Sequence, residues 1–423
     1  MKEDFLQFLW QYGYYLKDNL ISTKGEVMEV VKPGELNTNA GPDFFNAQIK
    51  IGDTLWAGNV EIHIKSSDWI RHKHQDDKAY DNVILHVVFQ NDIHITNSEG
   101  MEIPTLEIKF EAAYESRYHQ LMRNKKWVAC ERFLPAINKF ETHFWLGKLA
   151  IERLSTKSAA IVLMLKETNN NWGESFYIQI ARSFGLKENA QAFEQLAKSI
   201  SLKILVKHKD QLFQIEALLF GQAGFLSQIM PDDSYYESLR KEYSFLKQKY
   251  GLTPIQVHLW KYLRLRPSNF PEIRIAQFAS LIYKSSALLS KTLDAKNIER
   301  IQNLFTLLSS DYWDTHYRFG EASRKMKKRM GKSTIDSLLI NTIIPFIFVY
   351  GSQKGLEEYK ERAILFHESM KPERNTIVRK WNDLGIDTQN AFYTQAVIQL
   401  KREYCEKLRC LNCRIGNEII TAS

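Results

Sequence analysis

Two short stretches hold the residues best suited to chemistry. The first is Asn37-Thr38-Asn39-Ala40-Gly41-Pro42-Asp43-Phe44, and the second is Gly58-Asn59-Val60-Glu61-Ile62-His63-Ile64-Lys65. Side chains two apart on a strand point the same way, so Glu61, His63 and Lys65 share one face when this stretch is extended. Asp43, opening the preceding apolar run, can approach Glu61 across a hairpin that turns at Gly52-Asp53. Two carboxylates held together repel unless a cation neutralises them. Mg²⁺ or Mn²⁺ takes one or two carboxylates and leaves positions for water and phosphate oxygens. Such a centre suits metal-assisted hydrolysis, with His63 or Lys65 orienting water or phosphate. His63 is largely neutral at pH 7 unless Asp43 or Glu61 raises its pKa.

Five of the 11 histidines, His63, His72, His74, His86 and His94, lie between residues 63 and 94. His72 and His74 are candidates for a substrate phosphate or, with Asp77, for a separate Zn²⁺ site. The plainer reading is a hydrogen-bonded surface row of Asp68, His72 and Asp76 at helical spacing. His86, inside an apolar run, reads as a core histidine. The four cysteines are Cys130 and the group Cys405-x4-Cys410-x2-Cys413. They could complete a tetrahedral Zn²⁺ site, hold a [4Fe–4S] cluster, or remain free thiols.

The elements that must position these residues follow from hydrophobic periodicity. A helix is expected over Asp4 to Leu16, strands over Glu26 to Val31, Phe45 to Ile51 and Leu55 to Lys65, a helix over Asp68 to Tyr80, and a strand over Val83 to Phe89. A last strand pair, Ile93 to Thr96 and Ile103 to Phe110, is expected to turn at Asn97 to Gly100. From Ala112 onward the pattern has helical period, and no proline occurs between Pro135 and Pro231. The expected division is an α/β domain over 1–112 and a mostly helical domain over 113–423, with Trp127 to Pro135 as the junction. Tryptophans 145, 172, 260, 313 and 381 are expected in the core.

At this point the sequence resembles the PD-(D/E)XK nuclease superfamily. Its core has this α-β-β-β-α-β order, and its motif is Pro-Asp followed by a carboxylate two residues before a lysine. Pro42-Asp43 matches the first half, and Glu61-Ile62-His63 matches the second with histidine in place of lysine. The resemblance covers residues 1 to about 110 and implies a restriction-endonuclease-like fold, metal ligation by Asp43 and Glu61, and a phosphodiester substrate. Some helicase-nucleases of that superfamily also carry a four-cysteine cluster, though with the distant cysteine before the core rather than after it. The whole chain resembles a bacterial family of unknown function through phrases such as Gly41-Pro42-Asp43-Phe44 and Ser67-Asp68-Trp69.

Charge separates the two halves. Residues 1–110 hold 10 Lys+Arg against 17 Asp+Glu, and the remainder holds 47 against 32. An acidic module that binds a cation, joined to a basic one that attracts a polyanion, fits a nuclease on DNA or RNA. Lys327, Lys328 and Arg329, in the run Arg324 to Lys332, are candidates for phosphate contacts, with Trp260 and Tyr262 available to stack on bases. Two rival readings stand beside the nuclease: a degenerate nucleic-acid-binding protein that lost the lysine, and a histidine-cluster metal hydrolase acting on a small phosphorylated substrate. No P-loop occurs, so ATP-driven motion is not implied. Glu3 and Asp4 stand where a secretory signal carries positive charge, and the apolar run Ile335 to Tyr350 is interrupted by Asp336, Asn341 and Pro345. A cytoplasmic protein without membrane association is therefore expected.

Overall fold

The computed structural model describes residues 1–285 and 287–422. Contacts divide them into two units, Met1–Trp145 with Leu400–Ser423, and Leu146–Gln399. The division therefore falls later than residue 112, and the α/β unit is made from two pieces of chain. Its second piece is anchored by apolar burial. Ile415, Ile419 and Ile420 of the final helix, Arg414–Ile420, are buried, and this helix packs against the helix Ala112–Arg123.

The first unit begins with α1 (Glu3–Tyr12), which buries Phe5, Leu6, Phe8, Leu9 and Trp10. Each such side chain removed from water stabilises the fold by about 1.5–3 kcal/mol. The strands are β1 (Met28–Lys32), β2 (Glu35–Leu36), β3 (Phe44–Ile51), β4 (Thr54–Lys65), β5 (Val83–Gln90) and β6 (Thr105–Glu107), in the order β1-β3-β4-β5-β6 with β2 beside β3. The sheet is mixed. β1 and β4 flank β3 antiparallel, whereas β4, β5 and β6 run parallel. Central parallel strands are covered on both faces, and this accounts for the nearly unbroken apolar run of β5. β4 and the chain entering β5 approach closely at Gly58, where a Cβ would lie 2.4 Å from Ile84 and 2.8 Å from the Asn82 carbonyl oxygen.

Two expected elements differ. The helix expected over Asp68 to Tyr80 is α2 (Asp68–Arg71) followed by 3-10 turns at His74–Asp76 and Lys78–Tyr80. Lys73, at φ 62°, breaks it in the left-handed region. The Asp77 carboxylate then accepts from the Ala79 N–H, a local bond that competes with helix continuation. The expected strand pair keeps its turn at Asn97 to Gly100 but forms a single bridge, Thr96 with Glu102. The chain beyond it becomes β6, which pairs parallel to β5 with Thr105 opposite His86.

The second unit is almost wholly helical, with one short strand pair, His316–Arg318 and Glu321–Ala322. One stretch among the described residues, Lys332–Lys354, is long and apolar enough to cross a membrane, and 67% of its most apolar window is buried inside the protein. Ile335, Ile340, Ile343, Phe346 and Ile347 lie in the unit's core. Trp260 is buried and donates to the Ala223 carbonyl at 2.8 Å. Tyr262 donates to Glu272 at 2.8 Å. Both aromatic side chains are thus engaged in packing and internal hydrogen bonds.

Candidate metal centre

The hairpin register carries the first part of the site. Phe44 pairs with Val60 across antiparallel β3 and β4, which sets Asp43 opposite Glu61. The Asp43 N–H donates to Glu61 Oε2 at 3.0 Å, and Asp43 Oδ2 accepts from the Ile62 N–H at 3.1 Å. Gln7, on α1, donates to Asp43 Oδ1 at 2.9 Å. Both carboxylates are therefore oriented by the backbone of the strand opposite or by the helix above it.

The histidines converge on the same point. His63 and His86 are 1% and 0% exposed. His86 sits beside Glu61 in the parallel register of β4 and β5, and its Nε2 lies 2.9 Å from His63 Nδ1. On the other side of the His63 ring, Nε2 lies 3.0 Å from His72 Nδ1 and 3.5 Å from Glu61 Oε1. His74 Nε2 is 3.4 Å from Glu61 Oε1 yet makes no hydrogen bond, although it is shielded from solvent. Ligand atoms of His63, His72 and His74 all lie within 4.8 Å of one another. The broken helix produces this convergence. His74 is stacked on Tyr80 with ring centroids 3.8 Å apart and edged by Trp69 at 5.3 Å. Trp69 and Tyr80 are themselves fixed in a small core with Val83, Ile95 and Ile103.

Burial sets the charges. Desolvation, then the Glu61 charge, push the Asp43 pKa up to about 7. Desolvation, with a smaller contribution from Glu3, pushes Glu61 up to about 8. His63 is pushed down to about 2 and His86 to about 3, in both cases first by burial and then by neighbouring histidines. Burial also lowers His74. His63 and His86 are therefore neutral at pH 7, and a neutral imidazole is the form that ligates metal. His63 cannot supply the positive charge of a lysine.

Sequence reading thus located Asp43, Glu61, His63, His72 and His74, which the fold brings together. His72 and His74 join Glu61 and His63 rather than making a separate site with Asp77, whose carboxylate is turned to the Ala79 N–H. Lys65 is exposed at the end of β4, and among the described contacts no hydrogen bond or ion pair links its side chain to the carboxylates. Glu3, Gln7 and His86 were missed as participants. His86 had a usable signal, being one of five clustered histidines, but its partner across parallel strands is non-local. Of the basic run, Lys327 pairs with Asp311 at 3.2 Å and Asp314 at 2.7 Å. Lys328 is 4% exposed and donates to the Asp314 carbonyl, so it faces inward, whereas Arg329 is exposed. Cys130, Cys405, Cys410 and Cys413 line one cavity in the first unit.

No curated protein and no solved structure matches the chain. Residues 3–376, which include the whole carboxylate–histidine centre, match the family described as "Protein of unknown function (DUF2851)", and the chain belongs to that family.

Proposed function

We propose that this protein is a metal-dependent phosphodiesterase acting on nucleic acid, with its cation held by Glu61, His63, His72 and His74 and with Asp43 beside it. The observation that carries the reading is a set of separations. Glu61 Oε1, His63 Nε2, His72 Nδ1 and His74 Nε2 are linked by distances of 3.5, 3.4 and 3.0 Å. Ligand atoms about 2.0–2.2 Å from one tetrahedral ion stand roughly 3.4 Å apart. The unpartnered His74 Nε2 fits the same reading. Three imidazoles and a carboxylate favour Mn²⁺ or Zn²⁺ over Mg²⁺, which prefers oxygen ligands. A divalent cation there supplies Lewis acidity and lowers the pKa of its bound water.

The chain's own groups do the rest. His86 fixes the ring orientation of His63 through Nδ1, leaving Nε2 toward the centre. Asp43 stands beside Glu61 with its carboxylate held by Gln7 and the Ile62 N–H. Held there, it is placed to take a proton from an attacking water. The nucleic-acid part of the proposal is supported by Pro42-Asp43 facing Glu61, an arrangement that resembles the PD-(D/E)XK motif. The basic excess beyond residue 110 also supports it.

Incubation of the purified chain with single-stranded, duplex and structured DNA and RNA tests the reading, with Mn²⁺, Zn²⁺ and Mg²⁺ in turn. Cleavage that requires Mn²⁺ or Zn²⁺ and vanishes in Asp43→Asn is expected. Metal binding without cleavage of any polymer would overturn the nuclease assignment. Hydrolysis of small phosphate esters alone would reassign the centre to a small phosphorylated substrate.

A further inference from the structure

The four cysteines come from both pieces of the first unit. Cys130 precedes the turn Glu131–Ala136, Cys405 ends the π-helical segment Leu400–Cys405, Cys410 opens the turn Cys410–Asn412, and Cys413 leads into the helix Arg414–Ile420. All four line a single cavity, and none is in a disulfide. Cys130, Cys410 and Cys413 are buried. They are close enough to act on one another. After burial itself, the ionisation of Cys405 is opposed most by Cys130, Cys413 and Cys410, and that of Cys130 by Cys413 and Cys410.

The turn that carries Cys410 and Cys413 is closely packed. A Cβ on Gly416 would lie 2.0 Å from the Cys410 carbonyl oxygen, so the Cys410–Cys413 turn can wrap against the final helix only because residue 416 is glycine. Arg409 also lines the cavity.

Cys405-x4-Cys410-x2-Cys413 is an established cysteine spacing for iron–sulfur binding.

We propose that Cys130, Cys405, Cys410 and Cys413 ligate an iron–sulfur cluster that clamps the two pieces of the first unit together. The cluster shares no ligand with the carboxylate–histidine centre, and its assignment does not depend on hydrolysis. The test is iron, zinc and acid-labile sulfide analysis, with visible absorbance, of the full chain purified without oxygen. Iron and sulfide in near-stoichiometric amounts are expected, with charge-transfer absorbance that Cys405→Ser with Cys410→Ser removes and His63→Ala leaves intact. Stoichiometric zinc without labile sulfide would overturn the cluster. So would wild-type protein that stays free of iron after anaerobic reconstitution with ferrous iron and sulfide. Iron lost from His63→Ala but retained by the cysteine variant would place it at the histidines and overturn the assignment too.

Discussion

Glu61 in the first unit and Glu216 in the second are both buried carboxylates, 5% and 1% exposed, and burial raises both pKa values, to about 8 and about 7. Their surroundings differ. Glu216 receives hydrogen bonds from Tyr235 at 2.6 Å and Ser310 at 2.8 Å, so each oxygen has a donor from the protein. Glu61 Oε2 accepts from a backbone N–H, while Oε1 faces imidazole nitrogens of His63 and His74 without a hydrogen bond to either. A buried acid with a donor on each oxygen belongs to the architecture. One whose remaining oxygen has no hydrogen-bond donor and faces two imidazoles leaves room for a group that carries positive charge.

Substitutions can break or sharpen that contrast. The largest effect is expected at Glu61, where Gln keeps the shape and removes the charge. Calorimetric titration with Mn²⁺ or Zn²⁺ should show affinity falling by more than the ~100-fold that marks the upper end for outer partners of a metal site. Unchanged affinity would put Glu61 in the same class as Glu216. For Glu216 itself, the raised folded pKa means that the folded state binds the extra proton. Its stabilising contribution is full below the unfolded pKa of about 4.3 and is lost as pH rises through about 7. Glu216→Gln should therefore stabilise the protein at pH 8 relative to pH 4, by up to about 3 kcal/mol, in urea melts at the two pH values. No pH dependence in that difference would mean the acid is not held protonated.

His86 comes next. His86→Phe fills similar space but cannot orient His63, and metal affinity should drop roughly 10- to 100-fold. A silent substitution would return His86 to the role of simple packing. The smallest effect concerns the basic run. Reversing Arg329 should lower the log–log salt slope of nucleic-acid binding by roughly 0.7–0.9 if it meets one phosphate. Lys328→Ala should instead reduce stability and leave the slope alone, because that side chain is turned inward to the Asp314 carbonyl.

The legible parts of the site were the local ones. A two-residue turn at Gly52-Asp53 starts the pairing of β3 with β4, and a bulge between Phe44 and Ala47, with Asn46 at φ 57°, shifts it by one residue to bring Asp43 opposite Glu61. Alternation along β4 then sets His63 on the face of Glu61. His72 and His74 were expected on one continuous helix because the segment has helical spacing, and nothing in its composition announces that Lys73 enters the left-handed region. His86 needs a parallel pairing closed through the intervening turns, which periodicity does not encode. The two-piece first unit was invisible for a different reason. The helix Lys139–Glu167 runs through the boundary between Trp145 and Leu146, so no linker, composition change or breaker marks the place.

That interruption has a consequence for how the protein is made. The sheet, Asp43, Glu61 and Cys130 leave the ribosome early, but residues 400–422 follow only after all of 146–399. At about 5–20 residues per second, the interval is roughly 13 to 50 s. Throughout it, the groove on Ala112–Arg123 that receives the final helix stays uncovered, and Cys130 waits without its three partners. The chain must keep a half-built module soluble and its lone thiol reduced for that time, which makes the second unit a timer as well as an insertion.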